Sequence, residues 1–221
     1  MSIKIADQQL NRPPPFVVQP SLTAFQVPYK TYLSTVPKDI FTSTLTPTYI
    51  AVGALVFDPK SRILLLQRAS TDSMPSLWET PGGACDEEDE TILHSVAREL
   101  EEEAGLIATS VGPLVDDGYV FLTISGNVVC KYSFLVGIAD GLDQDLALGG
   151  GQRWVKVRLD PNEHQNHVWA TEEEVELGRT GDVVLKFTTA EQKQIILDAF
   201  QVRRRMEDGS AAQTKGRTAT G

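Results

Sequence analysis

Residues 81–106 hold the feature that most restricts how this chain can fold, a charged and amphipathic segment that starts at a Pro-Gly-Gly turn. Wound as an α-helix, with about 100° between residues, it separates into an apolar stripe and a neighbouring acidic stripe. The apolar stripe consists of Leu93, Val96, Ala97, Leu100 and Ala104. The acidic stripe consists of Glu99, Glu102 and Glu103. The pattern predicts a helix that buries one face and has Gly105 as its C-cap.

The acidic stripe is unfavourable by itself. Carboxylates that share one side of a helix repel each other by about a few tenths of a kcal/mol per pair. A bound divalent cation reverses that sign, and Mg²⁺ takes oxygen ligands that it usually shares with substrate phosphates. Arg98 stands four residues before Glu102 and is predicted to pair with that carboxylate and hold it in place. Three glutamates alone are typical of a solvated helix face, so the surrounding residues decide between the two interpretations.

Those surroundings resemble the Nudix box. From Glu90 onward the type and spacing of the specified positions agree with it, and these positions are Glu90, Arg98, Glu99, Leu100, Glu102, Glu103, Gly105 and Leu106. Upstream the sequence departs from the box, because one extra residue separates Gly83 from Glu90 and Ala84 stands at the usual glycine position. The departure affects the loop and leaves the helix pattern intact.

The resemblance implies an α/β fold, the Nudix-type α/β/α sandwich with a mixed sheet. It implies metal-dependent hydrolysis of the pyrophosphate bond in a nucleoside diphosphate linked to another moiety, with Mg²⁺ or Mn²⁺ as cofactor. Glu99, Glu102 and Glu103 are the implied metal ligands, and Glu102 is either a ligand or the general base. The backbone carbonyl of Gly83 is implied as a further ligand, and Arg98 is an orienting residue.

Arg68 and Glu79 flank the mouth formed by the glycine turn and are candidates for substrate contact, although ordinary polar strand ends explain them equally well. Nothing beyond the box identifies which nucleotide is the substrate. Two alternatives stay open. One is a Nudix module that binds a nucleotide metabolite without cutting it, and the other is a scaffold whose N-terminal segment recruits partners.

Charge and composition restrict the partners. The formal net charge is −10, and residues 86–103, with nine acids and one arginine, contribute −8 of it. The acidity is therefore local, which favours a metal site and argues against binding a nucleic acid polymer. Two cysteines without a spacing motif predict a reducing, cytoplasmic location. No apolar run approaches the length of a membrane-spanning helix, so no membrane association is predicted.

Three regions are predicted. Residues 1–47 contain many prolines and form an extended arm that lies on its own domain or on the partner in a homodimer, with the first ten residues loose. Residues 48–206 form the Nudix domain, and residues 207–221 form a polar, disordered tail. Within the domain the predicted strands are 49–57 and 63–68 as one hairpin, 110–115, 119–124 and 127–139 as a second hairpin, and 154–159. A loop is predicted at 141–152.

Two capping boxes predict later helices. Thr171 with Glu174 opens a short helix, and Thr188 with Glu191 opens a helix that ends near Met206. His164 and His167 are predicted to lie in a loop and not to bind metal. A late acidic residue joins the metal site in some Nudix proteins, and Glu172, Glu173 or Glu174 could take that part. The favoured interpretation of these three glutamates is that they complement the helix dipole.

Overall fold

The structure is a computed structural model that describes residues 16–41, 45–139 and 155–218, with the backbone alone for Asp39 and for residues 209–218. A mixed sheet forms its centre. Its strand order is β1, β5, β7, β2, and β6 also pairs with β7. These strands are β1 (Val17–Val18), β2 (Tyr49–Val56), β5 (Ala108–Leu114), β6 (Tyr119–Leu122) and β7 (Val128–Ile138). β2 runs parallel to β7, and β5 and β6 run antiparallel to it.

A second sheet carries β3 between β4 and β8. Its strands are β3 (Ile63–Arg68), β4 (Trp78–Glu79) and β8 (His164–Ala170), all antiparallel to their neighbours. The predicted hairpin of the first two domain strands is therefore wrong, since β2 and β3 belong to different sheets. In the described part of the chain, one isolated bridge joins Phe57, just after β2, to Ile63 at the start of β3. Both strands are apolar on both faces, so periodicity alone could not assign their partners. A short pair, β9 (Arg179–Thr180) and β10 (Val183–Val184), follows.

The helices cover the sheets from two sides. They are α1 (Tyr29–Thr35), α2 (Ile92–Ala104), α3 (Glu172–Leu177) and α4 (Ala190–Thr218). The apolar stripe of α2 packs into one buried cluster with the inner side chains of β2, β5 and β7. A second cluster joins the opposite side, with Leu55 and Trp78, to α3 and α4. The predicted α/β/α sandwich with a mixed sheet is confirmed.

The N-terminal segment is part of the core. Residues 16–41 lie on their own domain and are not simply extended, because they form α1 and two short 3₁₀ turns. The prolines stand at the starts of these elements, where a missing N–H does no harm. Their buried side chains are Leu22, Phe25, Tyr29, Tyr32 and Phe41. The Tyr32 hydroxyl hydrogen-bonds that of Tyr132 on β7 at 3.0 Å. Residues 1–15 lie outside the described residues, and the predicted homodimer stays a prediction.

Several other predictions differ from the structure. Residues 155–159 are irregular, so the predicted strand over 154–159 is wrong for its described part. The helix predicted to start at a Thr188 cap is capped one residue later, where the Thr189 hydroxyl accepts a hydrogen bond from the backbone N–H of Gln192. That helix runs to Thr218, through most of the segment predicted to be a disordered tail. The predicted loop at 141–152 lies outside the described residues. No helix among the described residues is long and apolar enough to cross a membrane.

Candidate active site on helix α2

α2 is fixed at both ends. The Thr91 hydroxyl caps the helix by accepting a hydrogen bond from the His94 N–H, and the carbonyl of Val27, in the N-terminal segment, accepts one from the Ile92 N–H at 3.0 Å. At the other end Gly105 adopts the left-handed conformation, with φ at 65°, as the sequence predicted. Because both ends are held, the glutamates of the last two turns have a defined direction.

The glycine turn lies between the edge of β2 and the acidic end of α2. The Val52 N–H donates to the Gly83 carbonyl at 2.8 Å, and the Gly82 N–H donates to Glu103 Oε2 at 2.7 Å. A Cβ on Gly83 would lie 2.7–2.8 Å from the carboxylate of Glu99, so a larger residue there would displace that carboxylate. The extra residue therefore leaves the glycines in contact with the helix. Since the Gly83 carbonyl already accepts one hydrogen bond, its role as a metal ligand would use its second lone pair and stays a prediction.

Arg98 organises the carboxylates around it. Its guanidinium donates to Glu102 at 2.9 Å, the pair expected from the sequence, and also to Glu99 at 2.8 Å. It forms a two-bond contact with Asp89, at 2.9 Å for each bond, and a 3.0 Å bond to the Ala84 carbonyl. Arg98 thus ties the loop before the helix to two of the three predicted ligands. The contact between Arg98 and Asp89 was not predicted from the sequence, because the two residues are nine positions apart and do not lie on the same helix.

The three predicted ligands differ in environment. As whole residues Glu99 and Glu103 are 8% and 5% exposed, whereas the side chain of Glu102 is 59% exposed. Glu102 is not among the residues that line the cleft described below, and its position is called the rim of that cleft. Burial raises the pKa of Glu99 to about 7, against the opposing effect of Arg98. Burial also raises the pKa of Glu103 well above its ordinary value, and the nearby charge of Glu99 adds to the effect. Two buried carboxylates that share one region favour a cation between them.

A cleft of about 460 Å³ opens over this end of the helix. It is lined by Arg68, Thr71, Asp72, Gly82, Gly83, Ala84, Glu99, Glu103, Asn162, Glu163 and His164. Of the two predicted substrate contacts, Arg68 is on this lining and Glu79 is not. The two form an ion pair at 2.5 Å, and Arg68 also pairs with Asp72. Burial works to raise the pKa of Glu79, but a hydrogen bond with His164 and the charges of Lys131 and Arg68 outweigh it and lower that pKa.

Two residues of the cleft were missed or misplaced by sequence reasoning. Glu163 and His164 lie where β8 begins, and with Glu103 they bring three ligand atoms within 4.8 Å of one another. We predicted a loop here, but residues 164–170 form a strand opposite β3, which places His164 beside Arg68 and His167 beside Leu66. The available signal was weak: the turn residue Asn162, and the short apolar run Val168, Trp169 and Ala170 at the end of the segment.

The glutamates on α3 lie elsewhere. Glu174 completes the predicted capping box with Thr171, and its carboxylate also accepts a hydrogen bond from the Thr180 hydroxyl. Glu172 pairs with Arg204 on α4. Neither these two nor Glu173 is among the residues that line the cleft. The alternative in which one of them joined the metal site is not supported, and the favoured interpretation as helix N-terminal acids agrees with the structure.

Comparisons with known proteins agree with this fold. The family model of the NUDIX domain matches residues 47–190. The CTP pyrophosphohydrolase of Escherichia coli (strain K12) is 29% identical over 155 residues, which cover 70% of this chain and 93% of that protein. The MutT protein of Methanosarcina mazei Go1 superposes with a TM-score of 0.53 at 24% identity, over 73% of this chain and 99% of that one. A NUDIX hydrolase from Nitrosomonas europaea gives a TM-score of 0.50 at 19% identity, over 69% of this chain and 88% of that one.

The family match covers well over half of the chain, and the two solved structures share its fold. The chain therefore belongs to the Nudix hydrolase family. Within that family it is a pyrophosphohydrolase, the class of enzyme that the resemblance of residues 83–106 implied.

Proposed function

We propose that this protein hydrolyses the pyrophosphate bond of a nucleoside diphosphate linked to another moiety, and that the reaction depends on Mg²⁺ or Mn²⁺. The observation that carries the proposal is the meeting of Glu99, Glu103 and Glu163 at one cleft that the glycine turn also lines. The similarity to a CTP pyrophosphohydrolase supports including nucleoside triphosphates among the candidate substrates, with phosphate as the linked moiety.

The residues present fit a divalent cation. Carboxylate oxygens are the donors that Mg²⁺ and Mn²⁺ take, and Glu99 and Glu103 are buried with raised pKa values that a cation would relieve. Glu99, Glu103 and Glu163 would hold it, with Glu102 at the rim as a further candidate. When bound, the cation neutralises phosphate oxygens and lowers the pKa of a coordinated water.

The side chains and backbone groups around the cleft then have separate roles in the reaction. Glu102 is exposed enough to receive a proton from the attacking water, and Arg98 fixes its position through the 2.9 Å contact. The Gly82–Gly83 backbone lets a diphosphate approach closely, because no Cβ intervenes. Arg68 on the cleft wall supplies a positive charge toward the substrate phosphates while it remains paired with Asp72 and Glu79.

The alternative of a module that binds a nucleotide without cutting it is less well supported. This alternative was based on the extra residue after Gly83, which could have moved the glycine turn away from the helix. In the structure Gly82 and Gly83 nevertheless contact Glu103 and Glu99. The scaffold alternative is weakened as well, because the described part of the N-terminal segment is buried in this domain.

The test is product release over a panel of dinucleotides, nucleotide sugars and nucleoside triphosphates, CTP included, with Mg²⁺ or Mn²⁺. We expect release of phosphate, pyrophosphate or a nucleoside monophosphate, and its complete loss on chelation. Glu102→Gln should slow turnover at least about 10²-fold, which is typical for the loss of a positioned base. Full activity of Glu102→Gln in excess Mg²⁺ would contradict this role, and tight nucleotide binding without product would favour the binding module.

A further inference from the structure

His164 stands out among the residues of the cleft. It is 2% exposed, and one of its ring nitrogens lies with carboxylate oxygens of Glu103 and Glu163 in a group whose atoms are all within 4.8 Å of one another. The three residues come from distant parts of the chain, the last turn of α2 and the start of β8. Their meeting is therefore a product of the fold and not of local sequence.

The two ring nitrogens of His164 have different surroundings. Nε2 lies 3.3 Å from Glu79 Oε1, whereas Nδ1 is buried and has no hydrogen-bond partner among the described residues. A buried polar atom without a partner is unfavourable, because it loses the hydrogen bonds that water gives it in the unfolded chain. His164 lines a cleft that also holds the carboxylates of Glu99, Glu103 and Glu163, where a bound cation would satisfy an unprotonated Nδ1.

Glu79 determines which nitrogen is free to bind. Its carboxylate pairs with Arg68, and a carboxylate held in this way accepts a hydrogen bond from Nε2–H. With the proton on Nε2, Nδ1 carries the lone pair of a neutral imidazole. A carboxylate that holds one imidazole nitrogen while the other binds metal is the usual second layer of a metal site.

We propose that His164 is a nitrogen ligand of the metal site, together with Glu103 and Glu163, and that Glu79 and Arg68 are its positioning residues. This inference rests on the metal-dependent function proposed above and adds a donor that the acidic helix does not supply. Imidazole binds first-row transition ions, of which Mn²⁺ is the weakest binder, more readily than it binds Mg²⁺, which prefers oxygen donors. The site should therefore bind Mn²⁺ more tightly than Mg²⁺.

His167 provides a matched control. It lies on the same strand, three residues further on, opposite Leu66, and it is not among the residues that line the cleft. Removing it deletes an imidazole from β8 without touching Glu103 or Glu163.

The experiment uses the full chain with bound Mn²⁺ and without substrate. Pulsed electron paramagnetic resonance should show the nitrogen modulation of a directly bound imidazole in the wild type and in His167→Gln, and no such modulation in His164→Gln. Titration calorimetry should give at least a tenfold weaker Mn²⁺ affinity for His164→Gln and a smaller change for Mg²⁺. Glu79→Gln should weaken Mn²⁺ binding by about 10- to 100-fold while the nitrogen signal persists in the remaining complex.

The outcomes separate this inference from the proposed function. If the wild type binds Mn²⁺ and turns over substrate but shows no nitrogen modulation, His164 is not a ligand and the hydrolase proposal stands. If the folded protein binds neither Mn²⁺ nor Mg²⁺, both proposals fall. Should His164→Gln not fold, wild-type protein labelled with ¹⁵N-histidine answers the question, since a bound imidazole changes the modulation pattern on labelling and an unbound one does not.

Discussion

Two runs of three glutamates can be compared, one at the carboxyl end of a helix and the other at the amino end of a different helix. Glu101–Glu103 closes α2 and Glu172–Glu174 opens α3. At the amino end of α3 the carboxylates meet the positive end of the helix dipole, which is worth about 0.3–1 kcal/mol per charge. At the carboxyl end of α2 they meet the negative end, where no basic residue lies in the last turn. Identical residues therefore stabilise one helix and work against the other.

The two runs of glutamates also differ in their hydrogen-bond partners. Glu174 is held by hydroxyl and backbone groups of its own cap and by Thr180, and its pKa is lowered because these hydrogen bonds outweigh the effect of burial. Glu103 accepts a hydrogen bond from the backbone N–H of Gly82, and its burial outweighs that bond and raises its pKa. The α3 glutamates are explained by folding alone. The unfavourable placement on α2 is what a binding site for a cation requires.

The largest expected effect is a difference in hydrolysis rate between a variant of the α2 run and the matched variant of the α3 run. Glu103→Gln should lower the rate of hydrolysis at least about 10²-fold, the range typical for losing a positioned catalytic carboxylate. Glu174→Gln, the matched change on α3, should leave the rate unchanged. Steady-state rates with Mg²⁺ and Mn²⁺ measure both, and equal losses in the two variants would mean that the α2 run has no special role.

The next prediction distinguishes Glu99 on α2 from Glu174 on α3 by how the free energy of unfolding depends on pH. The pKa of Glu99 in the folded, metal-free protein is about 7, above its ordinary value of 4.5, so its favourable contribution is complete below pH 4.5 and is lost as the pH rises through 7. The free energy of unfolding of the wild type, relative to Glu99→Gln, should fall by about 3 kcal/mol over that range.

Glu174 should show the opposite sign. Its lowered pKa gives stability that is present at neutral pH and is lost as the pH falls below its ordinary range. Denaturant unfolding of the wild type, Glu99→Gln and Glu174→Gln across pH 4–8 tests both trends. A relative stability that rises with pH for Glu99, or falls with it for Glu174, would show that these environments are assigned wrongly.

A smaller effect distinguishes the two N-caps. Thr171→Ala and Thr91→Ala each remove a hydroxyl that caps a helix, and each should cost about 1 kcal/mol of unfolding free energy. Only Thr91→Ala should also slow hydrolysis, since α2 carries the site. Thermal unfolding and rate measurements on the same samples compare them, and a rate loss in Thr171→Ala would place α3 closer to the chemistry than we infer.

The smallest effect concerns the outer pair of α3. Glu172→Gln removes the ion pair with the exposed Arg204, and solvent screens such pairs strongly. We expect no change in activity and a smaller loss of stability than in Thr171→Ala. A loss as large as that of the cap would mean that α4 depends on this contact.

Much of this protein could be predicted from its sequence because local rules govern it. The two stripes of α2, its C-cap at Gly105, the Arg98–Glu102 pair and the hairpin of β6 and β7 all depend on residues close in the chain. The strand partners of β2 and β3 could not be predicted, because an apolar run does not indicate which other strand will pair with it. The short helical turns of the N-terminal segment were missed because prolines suggested extension, whereas tertiary packing stabilises those turns.

By itself the sequence determined the acidic helix, its spacing and the family to which it points, since side-chain periodicity follows directly from helix geometry. Only the tertiary structure decided which acids meet. It turned Glu103 inward to Glu163 and His164, which are distant in the chain, and it left Glu102 at the rim and Glu172–Glu174 on another surface. The physical reason is that a metal site needs donors a few ångströms apart, and that distance is set by the packing of α2 against the sheets and not by the order of residues.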